Sequence, residues 1–222
     1  LESAVTSATR CLILNSPSNP TGAVYTRTEL FALAEVLLQH PEVLVITDDI
    51  YEHLIYGDVE FTTLAQVEPR LKERTLTCNG MSKAYCMTGW RIGFAGGPES
   101  LIRAMAKLQS QSSFHPASIC QYAAVAGLNG GRDFLVPQLQ AYHERRDTLV
   151  LELNRIDGIA CPVPDGAFYV FPSCTGLFGR LTPGGQILAS DTDVVSYFLD
   201  TAGVALVPGR AFGFPGHFRV SY

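Results

Sequence analysis

Residues Val43-Leu44-Val45-Ile46-Thr47 form an unbroken apolar, largely β-branched run that stops abruptly at Asp48-Asp49. A run without polar alternation reads as a strand covered on both faces, the habit of parallel sheets. Cys11-Leu12-Ile13-Leu14-Asn15 is a second such run, ended by the turn-forming cluster Ser16-Pro17-Ser18-Asn19-Pro20-Thr21-Gly22. Between them, Thr26 to about His40 places Leu30, Leu33, Ala34, Leu37 and Leu38 on one helical face, with Thr26 positioned to cap and Glu29 three residues on. Thr75 to Asn79 and Arg91 to Gly96 read as a third and a fourth strand, each bounded by glycine. Strands alternating with helices imply an α/β sheet, mostly parallel and layered between helices.

Beyond Pro98 the pattern turns helical: Glu99 to about Ser110, Pro116 to Leu128, and a long stretch from about Arg132 to Ile156, preceded by Asn129-Gly130-Gly131 and followed by Gly158. The long stretch suits a spine joining two domains. Ala167-Phe168-Tyr169-Val170-Phe171, a helix from about Thr192 to Ala202, Val204 to Val207 and the alternating His217 to Tyr222 then make a smaller α+β unit. The sequence therefore divides into residues 1–130 and 131–222, and the glycine-rich segment Thr175 to Gly185 reads as a mobile loop.

Composition narrows the function classes. With 16 basic against 21 acidic residues and no basic run, neither nucleic acid nor an anionic membrane is the expected partner. No apolar stretch approaches the roughly 18 residues of a membrane span. Cys11, Cys78, Cys86, Cys120, Cys161 and Cys174 are scattered without metal-ligand or disulfide spacing, so free thiols in a reducing cytoplasm are expected and a metal is not. Charged residues make up 17% of the chain, below the roughly 25% of ordinary soluble domains. Together with a start at Leu1, that points to an excerpt of a longer protein.

In open α/β sheets ligands sit beyond the carboxyl ends of the strands. The residues just past those ends are Asn19, Asp48 with Tyr51, Lys83, and Arg91. Taken singly they are ordinary: a Pro-Gly turn, a helix-capping carboxylate, surface cations, and His115 with no spaced partner. Taken together, an amide, a carboxylate, a phenol, an amine and a guanidinium suit a cofactor bearing a phosphate, a phenolic oxygen, a ring nitrogen and an aldehyde.

The segments Ser16-Pro17-Ser18-Asn19-Pro20-Thr21-Gly22, Thr47-Asp48-Asp49-Ile50-Tyr51-Glu52, Ser82-Lys83-Ala84-Tyr85-Cys86-Met87-Thr88-Gly89-Trp90-Arg91-Ile92-Gly93, Gly166-Ala167-Phe168-Tyr169 and Phe218-Arg219-Val220-Ser221-Tyr222 resemble the class I/II aminotransferases. These are pyridoxal-phosphate enzymes of fold type I. The Ser-Lys to Thr-Gly-Trp-Arg stretch is the most specific part, and the resemblance runs in order along nearly the whole chain.

The resemblance implies a role for each residue. Lys83 matches the Schiff-base lysine and proton shuttle. Asp48 matches the carboxylate that keeps the pyridine nitrogen protonated. Tyr51 and Asn19 match the pair on the cofactor's ring oxygen, Arg91 the phosphate clamp, with Ser82 beside it, and Arg219 the clamp for the substrate α-carboxylate, where Asn19 also contributes. Asp49 reads as a bystander, because successive side chains of an extended strand point to opposite sides. The implied enzyme transfers an amino group between an amino acid and a 2-oxo acid and works as a cytoplasmic homodimer.

The family's upstream phosphate-binding turn and the ring that stacks on the pyridine are not in this sequence, so the expectation for the isolated chain is little or no activity. A carbon–sulfur β-lyase of the same fold is the nearest alternative. A binding or dimerisation module without turnover is the alternative from another class.

Overall fold

A computed structural model describes residues 1–222. Packing divides it into two units, Leu1–Pro17 with Val24–Val136, and Ser18–Ala23 with Pro137–Tyr222. The sequence divides once, after residue 130; packing instead sets the short Ser18–Ala23 turn with the second unit.

The first unit is built on a four-stranded sheet in the order β1 (Cys11–Asn15), β2 (Leu44–Asp48), β3 (Thr75–Gly80), β4 (Gly93–Gly96). The first three are parallel, with Asn15 opposite Asp48 and Asp48 opposite Cys78. β4 runs antiparallel to β3, pairing Gly80 with Gly93. It has to reverse direction because the loop from Met81 to Ile92 closes on itself, with the Met81 N–H on the Ile92 carbonyl at 3.3 Å and the Met87 N–H on the Met81 carbonyl at 3.2 Å.

One face of the sheet carries Leu14, Val43 and Val45 against Leu30, Ala34 and Leu37 of α1 (Arg27–Leu38). On the opposite face, within this chain, Ile13 is 69% and Leu44 45% exposed.

α1 begins as its sequence dictates. The Thr26 hydroxyl accepts from the Glu29 N–H at 3.2 Å, and the Glu29 carboxylate accepts from the Thr26 N–H at 2.8 Å. Its last turn has no basic residue of its own. The guanidinium of Arg74 takes that part from across the chain, donating to the carbonyls of Leu37 at 2.5 Å, His40 at 2.7 Å and Val43 at 2.7 Å. A cation is thus placed just past the end of α1, where it suits the helix dipole. α2 (Leu64–Val67) and a 3₁₀ helix, Pro69–Arg74, lead into β3, and α3 (Glu99–Gln111) and α4 (Ser118–Asn129) follow β4.

The second unit contains most of α5 (Leu135–Asn154), then β5 (Tyr169–Val170), α6 (Asp191–Ala202), β6 (Val207–Pro208) and β7 (Phe218–Ser221). Its antiparallel sheet has the order β5-β7-β6, and Val150, Leu153, Val170, Val194, Val195 and Phe218 form the core beneath it. β5 is shorter than its apolar run suggests, since Ala167 adopts a left-handed φ of 57° immediately upstream. The glycine-rich segment read as a loop is a hydrogen-bonded hairpin: Leu181 bridges Ile187, the Leu188 N–H reaches the Arg180 carbonyl, and Arg180 pairs with Asp157 at 2.6 Å.

Candidate active site

Asp48 ends β2, Tyr51 lies three residues past it, Ser82 and Lys83 follow the end of β3, and Arg91 precedes antiparallel β4. The strand directions therefore bring these residues to one edge of the first unit's sheet. The Lys83 amine stands over the Tyr51 ring, 5.8 Å from its centroid, and Tyr51 is buried.

Asp48 is fixed at both ends. Its carbonyl accepts from the Asn15 Nδ2 at 2.9 Å, and its Oδ1 accepts from the Ile50 N–H at 3.3 Å. Arg91 is exposed, holds a left-handed φ of 51° and donates to the Thr88 carbonyl at 2.8 Å. A non-glycine residue in that region is uncommon and requires support from its surroundings. Here the short Thr88–Trp90 3₁₀ helix ends on it.

Asn19 and Arg219 belong to the second unit, where the Arg219 Nη1 donates to the Asn19 Oδ1 at 2.8 Å. The guanidinium stands over two aromatic rings, 4.7 Å from the centroid of Tyr169 and 5.3 Å from that of Phe212. Its Nε is buried and meets no acceptor.

The turn carrying Asn19 is seated by Gly22, whose carbonyl accepts from the Gly166 N–H at 2.8 Å. Gly22 has a φ of 70°, and a Cβ there would stand 2.6 Å from that of Pro164 and 2.8 Å from two carbonyl oxygens. Only glycine meets both demands. Below it, buried Arg146 donates to the Pro164 carbonyl at 3.1 Å and to Asp147 at 2.8 Å. The sequence alone singles out neither Phe212 nor Tyr169 as a site residue. Nothing local marks either ring as a partner of Arg219, since both contacts arise only once β5, β6 and β7 pair.

The carboxylate beside Asp48 sits in a different environment. Asp49 is 5% exposed, and burial pushes its carboxyl up to about 6, with the Thr63 and Thr47 hydroxyls opposing and the charges of Glu52 and Asp48 reinforcing the shift. Glu52 accepts from the Asn79 Nδ2 at 2.7 Å and faces His53 at 3.4 Å. Burial holds the His53 imidazole below its ordinary value, opposed by Glu52 and helped by Arg132.

A carboxyl whose pKa is raised on folding stabilises the protein below its unfolded value of about 3.9 and loses that contribution as pH climbs through the folded value. Asp49→Asn in the full-length protein should remove the loss, on the order of 2–3 kcal/mol between pH 4 and pH 6. Urea melts at pH 4, 5, 6 and 7 read this directly. Parallel pH profiles for parent and variant would show that Asp49 ionises as it would in water.

The family model for aminotransferases of class I and II matches residues 1–222. The chain belongs to that family. An aspartate/prephenate aminotransferase of Cereibacter sphaeroides is 54% identical over 222 residues, covering 100% of this chain and 56% of the relative. An aspartate aminotransferase of Rhizobium meliloti is also 54% identical, with 54% of its length covered. The crystal structure of the aspartate aminotransferase from Rhizobium meliloti superposes with a TM-score of 0.97 at 54% identity, over 100% of this chain and 55% of the other. An aromatic aminotransferase from Pyrococcus horikoshii gives 0.88 at 37% identity, over 100% and 57%.

The chain thus spans about half the length of the curated relatives it matches, and its fold is that of pyridoxal-phosphate enzymes of fold type I. Aminotransferases of this family use pyridoxal 5′-phosphate. The side chains at the first unit's edge fit that group, offering a carboxylate for a ring nitrogen, a phenol for a ring oxygen, an amine for an aldehyde, and a hydroxyl and guanidinium for a phosphate. No group of three or more His, Cys, Asp or Glu side chains stands together in a way that would hold a metal ion.

Proposed function

We propose that the whole protein is a pyridoxal-phosphate-dependent aminotransferase that moves an amino group between an amino acid and a 2-oxo acid. The observation that carries this reading is the pairing of Arg219 with Asn19 under two aromatic rings, in a chain whose first unit sets Lys83, Asp48 and Tyr51 on one sheet edge. When bound, the cofactor supplies an electron-withdrawing ring that stabilises negative charge at the substrate α-carbon.

The chain's own residues do the rest. Lys83 holds the cofactor through its amine and moves the proton that leaves the α-carbon. Asp48 keeps a proton on the ring nitrogen, and the Tyr51 hydroxyl donates to the ring oxygen. Arg91 and Ser82 bind the phosphate. Arg219 takes the α-carboxylate as a planar fork, which fixes the direction of the α-carbon bonds. The Asn19 Oδ1 accepts from Arg219, so any bond from this amide to the ring oxygen would have to be donated by its Nδ2.

Aspartate is the first donor to try, on the names of the relatives, which include aspartate and prephenate. Homodimerisation of the whole protein is part of the proposal, supported by the exposed apolar side chains Leu108, Ile119, Tyr122 and Val125 on α3 and α4. So is a cytoplasmic location; no helix is long and apolar enough to cross a membrane.

The discriminating experiment supplies full-length protein with aspartate and 2-oxoglutarate or prephenate, and separately with cystathionine. Glutamate or arogenate formation is expected. Release of pyruvate and ammonia from cystathionine without amino transfer would instead favour the β-lyase.

A further inference from the structure

Asp191, the first residue of α6, is 1% exposed, yet it is a carboxylate. An ion buried to that depth requires partners. It has them on both sides. One oxygen accepts from the Thr192 N–H at 3.1 Å and faces the Arg210 Nε at 3.3 Å; the other accepts from the Arg210 backbone N–H at 2.7 Å. Arg210 lies in the 3₁₀ turn Gly209–Phe212, so Asp191 ties that turn to the start of α6.

The turn ends on Phe212, whose ring lies 5.3 Å from the Arg219 guanidinium and packs edge-on to Phe171 at 5.9 Å. The turn is tightly packed elsewhere too, since a Cβ on Gly209 would collide with the backbone at Phe214 and His217. A rigid turn held by a buried carboxylate is the means by which one of the two aromatic faces is placed on the guanidinium.

We propose that Asp191 is a positioning residue for carboxylate recognition by Arg219, acting through Arg210 and Phe212; this rests on the reading of Arg219 as the α-carboxylate site. The guanidinium has side-chain torsions of its own to lose on binding an anion, and the two rings with Asn19 remove that freedom beforehand. In Asp191→Asn the Arg210 N–H keeps only a weaker acceptor, the Gly209–Phe212 turn loosens, and the Phe212 ring no longer holds its place against Arg219.

The test uses full-length holoprotein and succinate, a non-reacting dicarboxylate, titrated by calorimetry, with pyridoxal phosphate affinity measured alongside. Asp191→Asn should weaken succinate about tenfold and raise the KM for aspartate similarly, with kcat changed less than about threefold and cofactor affinity within about twofold. Phe212→Leu, which leaves the buried ion pair intact, should weaken succinate by about fivefold and keeps the question open to measurement if Asp191→Asn does not fold. In the double variant with Arg219→Lys, the Asp191→Asn loss should largely vanish, because both act on one guanidinium.

If Arg219→Lys leaves succinate binding unchanged, the reading of Arg219 falls and the proposal falls with it. If Arg219→Lys weakens succinate while the Asp191 and Phe212 variants do not, or if the losses simply add, Asp191 is a stabilising residue only and the reading of Arg219 stands.

Discussion

Lys83→Ala in the full-length protein is expected to lower amino transfer by about 10³-fold or more, to the level of the cofactor free in solution. The chain has three lysines. Lys72 lies exposed in the 3₁₀ helix before β3, and Lys107 is exposed on α3. Neither is at the edge where Asp48 and Tyr51 lie, whereas the Lys83 amine already stands over the Tyr51 ring. An added primary amine replaces the proton shuttle but not its placement, so partial recovery of turnover is expected with small amines. Borohydride treatment of the parent holoprotein, followed by peptide mapping, checks the covalent assignment separately. A label on any lysine other than Lys83 would remove the basis for the expected loss.

Asp48→Asn is expected to cost about 10²–10³-fold in kcat while the protein still folds and retains cofactor through its phosphate. The substitution keeps the side chain's shape and its acceptor for the Ile50 N–H, and removes only the negative charge. A ring nitrogen without that charge beside it loses its proton near neutral pH and withdraws electrons poorly. The measurement is kcat against pH, with Asp48→Glu as the companion. The glutamate variant should recover part of the rate, and the asparagine variant should gain activity as pH falls. A flat profile at near-parental rate would assign the ring proton to another group.

Much of this architecture was legible in the residues because the signals were local. The Thr26 and Glu29 capping pair, the apolar strands and the order of strand-end residues each depend on neighbours within a few positions. What was not legible depends on distance along the chain. Asp49 is one residue from Asp48 and looks equivalent in sequence, but the pleat turns it inward, where Thr47 and Thr63 surround it. Arg219 needs Phe212 from a turn that Asp191 fixes, and Asn19 from a segment 200 residues earlier. The hairpin at Arg180 to Leu188 was masked by glycine and proline, which mark a tight reversal and a formless loop with the same letters.

The grouping of Ser18–Ala23 with Pro137–Tyr222 has a consequence for how the molecule is made. The ribosome delivers Asn19 200 residues before Arg219, an interval of about 10–40 s at ordinary elongation rates of about 5–20 residues per second. For about the first three-quarters of that time the turn has neither Gly166 nor Pro164 to seat it, and its closure is among the least local contacts in the chain. The first unit's edge, by contrast, has all its residues once Arg91 has emerged. A nascent chain halted before Phe218 would therefore carry Asp48, Tyr51, Ser82, Lys83 and Arg91 without the Arg219 guanidinium proposed to take the substrate carboxylate.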